Sequence, residues 1–111
     1  MNWLKTFKKT LRKITVENRQ YYYLVNDNPS SEKQNIKIFP SKYKSTFIEV
    51  FFNWGKDAWS INLHKPSVCA ALIKYALTQG WQPEQKNNKF KVEDGHSLIS
   101  LLELEKLSRE R

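Results

Sequence analysis

The segment 63–83, LHKPSVCAALIKYALTQGWQP, constrains the fold most strongly because it encodes both ends of a helix. Pro66 suits the first helical turn, where its missing N–H would have no helical partner. Gly80 suits the left-handed residue that commonly follows the last turn. The segment therefore predicts a helix over 66–79, with Trp81 folding back onto its end.

The composition of this helix predicts that it is largely buried, because apolar residues cover most of its surface. The adjacent small residues Ala70 and Ala71 would allow it to approach a sheet closely. Cys69 lies within the apolar arc, where a cysteine usually packs as a small hydrophobe with a raised pKa. We therefore expect Cys69 to be structural rather than a nucleophile.

Residues 14–63 carry the alternation of apolar and polar residues that is typical of strands. ITV and YYYLV flank a polar stretch, which predicts a hairpin with its turn near residues 17–19. NIKIFP alternates and closes with Pro40, which either ends the strand or marks a sheet edge. STFIEVFFNW, at 45–54, is the most apolar run and the candidate central strand. GKD then predicts a turn into AWSINL, at 58–63, as a second hairpin.

Short connections between these strands favour antiparallel pairing. A strand at 88–92 and a C-terminal helix at 95–108, with its leucine-rich face, complete the pattern. At 111 residues the chain is expected to be a single domain, 1–111. The predicted fold is α+β: an antiparallel β-meander of about five or six strands with two to three helices packed on one face.

The N-terminal segment, 2–13, predicts a basic amphipathic helix, since Trp3, Leu4, Phe7 and Leu11 recur at helical spacing. This helix would dock on the domain through its aromatic stripe, contact a membrane surface, or reach toward nucleic acid. Its cationic residues are Lys5, Lys8, Lys9, Arg12 and Lys13.

The net charge of +8 is unevenly distributed along the chain. Residues 1–91 carry 16 of the 19 Lys and Arg but six of the 11 Asp and Glu, a net +10. The last twenty residues carry a net −2. Such a charge predicts attraction to an acidic protein, RNA, DNA or anionic lipid.

Catalytic and metal-binding patterns are absent from the sequence. The three glycines are isolated, so there is no phosphate-binding loop, and no nucleophile elbow or HExxH is present. Neither His64 nor His96 has another histidine or a cysteine at the spacing typical of metal ligands. A catalytic Cys/His pair between Cys69 and His96, formed in space, is an alternative that the sequence leaves open. Glu49 is conceivable as a general acid or base, but a lysine partner across the sheet is the commoner arrangement. We therefore expect no enzyme activity, no metal and no cofactor.

The single cysteine cannot form an internal disulfide, and this favours a reducing cytoplasm. The basic N-terminus is followed by no apolar run or cleavage site typical of a secretory signal. No stretch approaches the length of a membrane span. A soluble cytoplasmic protein is therefore the expectation.

The pattern I-N-L-H-K-P-S-V-x(6)-Y-A-L-x(2)-G-W-x-P-x(6)-F, over residues 61–90, resembles small uncharacterised bacterial proteins in which a buried helix ends in a similar G-W-x-P turn. The similarity covers about a third of the chain. Its residues begin and end a helix, so the resemblance implies a fold element and no activity.

The sequence is compatible with two functions. The first is a non-enzymatic bacterial interaction domain that binds an acidic protein partner. The alternative is nucleic-acid binding, because KYK at 42–44 and KFK at 89–91 interleave basic and aromatic residues. The candidate partner-binding residues are Trp3, Lys5, Lys8, Lys9, Arg12, Trp54 and Trp59.

Overall fold

The computed structural model describes residues 11–26, 33–53, 63 and 65–102. Within these ranges the chain forms five strands and two helices. The strands are β1 (Arg12–Val16), β2 (Arg19–Asn26), β3 (Lys33–Pro40), β4 (Phe47–Asn53) and β5 (Lys89–Val92). The helices are α1 (Pro66–Thr78) and α2 (His96–Leu101).

The strands form one mixed sheet in the order β1-β2-β3-β4-β5. Neighbours from β1 to β4 are antiparallel, whereas β5 pairs with β4 in parallel. The predicted α+β class is confirmed, but the prediction of an entirely antiparallel meander is wrong at β5. The reason is that α1 lies between β4 and β5 in the chain and returns it to the sheet in the direction of β4.

The prediction of two to three helices packed on one face is wrong in its number of long helices within the described residues. There α1, with 13 residues, is the one long helix, and α2 has six. The predicted C-terminal helix over 95–108 is observed over His96–Leu101, and residues 103–108 lie outside the described part of the chain.

The predicted N-terminal helix over 2–13 is wrong at its C-terminal end, since Arg12 and Lys13 belong to β1. These residues pair with Tyr23 and Tyr22 of β2. Sheet hydrogen bonding to β2 therefore outweighs the helical spacing of the apolar residues there. Residues 1–10 lie outside the described residues.

The strand predicted to be central, β4, is internal, but the middle position belongs to β3. Pro40 ends β3 and does not mark a sheet edge, because β3 lies between β2 and β4. Of the predicted strand at 58–63, Leu63 is described and lies in a turn; residues 58–62 lie outside the described part of the chain.

The core lies between α1 and one face of the sheet, here called the inner face. Strand alternation sends every second side chain to this face, so β3 and β4 supply branched residues in pairs such as Ile36 with Val50 and Ile38 with Ile48. The buried face of α1 packs against them through Val68, Cys69, Leu72, Ile73 and Ala76.

Both predicted ends of α1 are confirmed within a residue. Pro66 is the first helical residue. At the other end Gly80 has a φ of +101°, the N–H of Trp81 donates to the carbonyl of Ala76, and the N–H of Gly80 donates to that of Leu77. This is a Schellman ending. Trp81 is buried in the same core, with its ring centroid 6.1 Å from that of Tyr21.

The predicted hairpin turn near 17–19 is also confirmed. Val16 pairs with Arg19, so Glu17 and Asn18 form a two-residue loop between β1 and β2. Both have positive φ, 52° and 68°. Two-residue loops of this kind match the right-handed twist of the flanking strands.

Candidate functional site

The face of the sheet away from α1, here called the outer face, brings basic and aromatic side chains together. Register places the side chains of Lys37 and Phe39 in β3, Phe47 in β4 and Lys89 in β5 on this face. Together they form one side of an open cavity of about 410 Å³. This cavity, the lysine–phenylalanine pocket, is lined by Lys37, Phe39, Lys44, Ser45, Phe47 and Lys89.

Two phenyl rings make the floor of the pocket. Phe39 and Phe47 lie on neighbouring strands, with ring centroids 6.1 Å apart and planes inclined at 62°. This edge-to-face arrangement directs ring hydrogens toward the electron-rich face of the neighbouring ring. Phe39 is 2% exposed and Phe47 is 8% exposed. The rings therefore anchor the pocket and present little free surface.

Lysine ammonium groups stand over these rings. The Lys37 Nζ atom lies 4.3 Å from the ring centroid of Phe47 and 5.8 Å from that of Phe39. The Lys89 Nζ atom lies 5.7 Å from the centroid of Phe47. The two ammonium groups share one ring and are at most 10 Å apart. Cation–π attraction holds them over the floor of the pocket.

Among the described residues no carboxylate forms an ion pair with Lys37, Lys44 or Lys89, although Glu49 lies opposite Lys37 in the strand register. Glu49, on the outer face of β4, has a side chain that is 14% exposed. It accepts a hydrogen bond of 2.9 Å from Asn35 Nδ2 and lies 4.0 Å from Lys91 Nζ. The expected cross-strand lysine partner of Glu49 is thus confirmed as Lys91. The ammonium groups of Lys37, Lys44 and Lys89 are left to attract an external anion.

The pocket differs from the surface predicted from sequence. Arg12 is exposed on the inner face of β1, paired with Tyr23 and at the opposite edge of the sheet from Lys89. The other candidate contacts lie outside the described residues: Trp3, Lys5, Lys8, Lys9, Trp54 and Trp59.

The two basic–aromatic tripeptides noted in the sequence do meet in space. Lys44 of the first and Lys89 of the second line the same pocket. In the first tripeptide the Lys42 Nζ lies 5.7 Å from the Tyr43 ring centroid. In the second, Phe90 points to the inner face, where its ring packs edge-on against Tyr75. The pocket thus brings together one lysine from each tripeptide.

Lys37 and the two phenylalanines were missed from sequence because their proximity depends on strand register. The alternation of Lys37 with Ile38 and of Phe47 with Ile48 signals that Lys37 and Phe47 share the face opposite the core. Which strands are neighbours, and in which direction they run, is not contained in that alternation.

Cys69 is fully buried, and its burial raises the pKa of the thiol far above its ordinary value. The expectation of a structural cysteine agrees with both observations, since a buried thiol held in its neutral form is a poor nucleophile. His64 lies outside the described residues, and His96 is the first residue of α2. Within the described part of the chain no group of three His, Cys, Asp or Glu residues is arranged to hold a metal ion.

A second, mixed-charge region lies where the β1–β2 hairpin meets the turn after α1. Arg19 forms an ion pair with Glu84, and both side chains are partly exposed. Cavities of about 330 and 190 Å³ share Arg19, Pro83 and Glu84 as lining residues. Arg19 and Glu84 neutralise each other, and the other two charged lining residues, Glu17 and Lys42, have opposite signs. The region therefore has less unbalanced charge than the lysine–phenylalanine pocket.

None of the helices in the described ranges is long and apolar enough to cross a membrane. Comparisons with protein families, with curated proteins and with solved structures find no match for this chain.

Proposed function

We propose that this protein is a non-enzymatic binding domain that recognises an acidic protein partner through the lysine–phenylalanine pocket. The observation that carries the proposal is the set of three ammonium groups around one cavity, of Lys37, Lys44 and Lys89, with no carboxylate of the described residues paired to them. Lysines on a partly apolar surface suit carboxylate groups on a protein that also offers apolar contact.

Two features of the pocket favour binding over catalysis. It is open to solvent and lined by amines, phenyl rings and one hydroxyl, that of Ser45. None of its lining residues is a carboxylate or an imidazole that would activate that hydroxyl. The pocket therefore offers positive charge without a base.

The burial of the phenyl rings favours an acidic protein over single-stranded nucleic acid. Base stacking needs an accessible aromatic face, whereas Phe39 and Phe47 are buried and Lys37 stands over both. A protein carboxylate needs access to the ammonium groups alone, and the exposed Lys44 and Lys89 provide it.

Nucleic-acid binding is the second candidate, on a specific observation. Tyr43 is half-buried with Lys42 beside its ring, and Lys44 and Lys89 of the two basic–aromatic tripeptides share the pocket. A phosphate backbone along these lysines, with one base on Tyr43, would use the same positive surface.

A matched pair of double variants tests the proposal. Lys44→Gln with Lys89→Gln removes two charges from the pocket, and Lys74→Gln with Lys86→Gln removes two exposed charges elsewhere. The probe is a labelled synthetic peptide of alternating glutamate and valine, measured by fluorescence anisotropy. We expect the pocket variant to bind about tenfold more weakly and the control to bind nearly as the natural protein does.

Equal losses in the two variants would show general charge attraction and contradict a pocket-specific site. The same titration with oligothymidylate and oligouridylate, from low to high salt, tests the second candidate function, nucleic-acid binding. Tighter binding of either oligonucleotide than of the acidic peptide, with a steep salt dependence, would replace the acidic protein by nucleic acid.

A further inference from the structure

We infer that the acidic segment of the partner binds as an added strand along the outer edge of β5. This inference rests on the proposed function and specifies the form in which the partner is recognised. Its basis is the direction in which the backbone groups of Lys89 and Lys91 point and the side chains that surround them.

The register of β5 determines which backbone groups are free. In the parallel pairing Phe47 lies opposite Lys89, and the N–H of Phe47 donates to the carbonyl of Asn88 at 3.1 Å. The next bonds to β4 in such a ladder use Phe90 and Val92. The N–H and C=O groups of Lys89 and Lys91 therefore point away from β4.

Within the described part of the chain, β5 is an edge strand and no strand pairs with its outer side. Both Lys89 and Lys91 are exposed. Their outward backbone groups, two donors and two acceptors, are the template that an extended peptide uses when it extends a sheet.

The side chains of β5 select the charge of the added strand. Lys89 and Lys91 both lie on the outer face beside the edge. A second copy of β5 at this edge would bring lysines together, and lysine on an edge strand is a common barrier to self-association. An acidic strand would instead place carboxylates next to Lys89 and Lys91, where cross-strand opposite charges are favourable.

The inner-face residues of β5 favour apolar residues on the facing side of the added strand. Phe90 and Val92 are half-buried at the margin of the core, so the alternate residues of an added strand would lie beside them. The predicted occupant is thus an extended partner segment with acidic residues on one side and apolar residues on the other. Because Lys89 also lines the lysine–phenylalanine pocket, the edge and the pocket form one continuous surface.

Two variants at one position separate strand addition from charge attraction. Lys89→Gln and Lys89→Pro both remove the charge, but the proline also removes the outward N–H. Lys89 is the first residue of β5, where proline is tolerated in strands. With the alternating glutamate–valine peptide as probe, we expect Lys89→Pro to bind about tenfold more weakly than Lys89→Gln.

A second measurement uses the natural protein, so it does not depend on folding of the proline variant. The same peptide is N-methylated at alternate backbone nitrogens, in two versions that block opposite edges. We expect the version blocked on the edge facing β5 to bind about tenfold more weakly than the other.

Equal affinity of the two N-methylated peptides for the natural protein would overturn strand addition. If both Lys89 variants then bound equally and more weakly than the natural protein, the proposed function would still stand. A natural protein that does not bind the unmethylated glutamate–valine peptide would overturn both proposals. A stable dimer of the free protein in analytical ultracentrifugation, lost in Lys89→Pro alone, would identify a second copy as the occupant and overturn the acidic strand.

Discussion

At the scale of single residues, Gly95 has less room for added volume than Gly80, the other described glycine. A Cβ atom at this position would lie 2.7 Å from the carbonyl oxygen of Phe51 and 2.7 Å from two ring carbons of Phe52. The N–H of Gly95 donates to that same carbonyl. We expect Gly95→Ala to lower the free energy of unfolding by about 1–3 kcal/mol, measured by urea denaturation, because backbone atoms must move.

Gly80 provides the control because it is constrained by backbone conformation, whereas Gly95 is constrained by steric contact. A Cβ atom there meets nothing within 4 Å, but the φ of +101° is unfavourable for residues with side chains. Asparagine tolerates left-handed conformations better than alanine, so Gly80→Asn should cost less than Gly80→Ala. At Gly95 the order should reverse, since asparagine is larger. The same order at both sites would contradict the steric explanation for Gly95.

Cys69 shows how far a single residue can be interpreted from sequence. Its place in the apolar arc of the helix predicted burial, and the structure agrees because helical spacing alone decides which face a residue occupies. The roles of Lys37 and Phe47 were not predictable in that way. Their contact depends on which strands are neighbours, and that is set by the packing of the whole sheet.

At the scale of elements, the β1–β2 hairpin contains an unfavourable turn residue. Glu17 has a φ of 52° at the first position of the two-residue loop, where asparagine or glycine is strongly preferred. We expect Glu17→Asn to raise the free energy of unfolding by about 0.5–1 kcal/mol, because the native conformation then costs less. Thermal unfolding followed by circular dichroism measures the gain.

The comparison for this hairpin is Glu17→Gln, which removes the charge and keeps a side chain that disfavours positive φ. A stabilisation of the same size in Glu17→Gln would mean that charge, rather than turn conformation, is responsible.

The segment between α1 and β5 is hydrogen-bonded to Thr46, the residue that immediately precedes β4. This residue is fully buried; its hydroxyl donates to the carbonyl of Gln85 and accepts a 3.3 Å hydrogen bond from the N–H of Asn88. Thr46→Val keeps the shape but leaves both backbone groups without their partner. We expect a loss of about 1–3 kcal/mol in the free energy of unfolding, measured with urea.

Thr46→Ser is the matched variant, because it keeps the hydroxyl and removes the methyl group. It should lose less stability than Thr46→Val. If the valine variant were the more stable of the two, the hydroxyl would not be what holds this segment.

Whether a helix, turn or strand was predictable from the sequence depends on whether nearby residues determine it. The ends of α1 were predictable because Pro66 and Gly80 act on their own backbone. The hairpin turn near Glu17 was predictable for the same reason. The parallel placement of β5 was not, because a four-residue strand after a helix carries no local signal of the strand with which it pairs.

At the scale of the whole molecule, burial of titratable groups couples stability to alkaline pH. Burial is the largest cause of the raised pKa values of Tyr21, Tyr23 and Cys69. In the unfolded chain cysteine loses its proton at about pH 8.5 and tyrosine at about pH 10, whereas in the folded chain Cys69, Tyr21 and Tyr23 keep their protons to higher pH. The folded state then binds more protons, so stability present below about pH 8.5 is lost as pH rises.

We therefore expect the urea midpoint to fall progressively at pH values above about 8.5. Tyr21→Phe combined with Tyr23→Phe should flatten the decline above about pH 10, because two of the three groups no longer titrate. A midpoint that stays constant through this range would contradict the burial of these side chains.

Among the described strands β5 pairs on one side only, and this has a consequence for the exchange of its amide hydrogens with solvent. Phe90 and Val92 direct their N–H groups toward β4, whereas Lys89 and Lys91 direct theirs outward. Within four residues, slow and fast exchange should therefore alternate. A partner strand at this edge would abolish the alternation by slowing the two lysine amides, so four resonances in a nuclear magnetic resonance spectrum would report whether the edge is free or occupied.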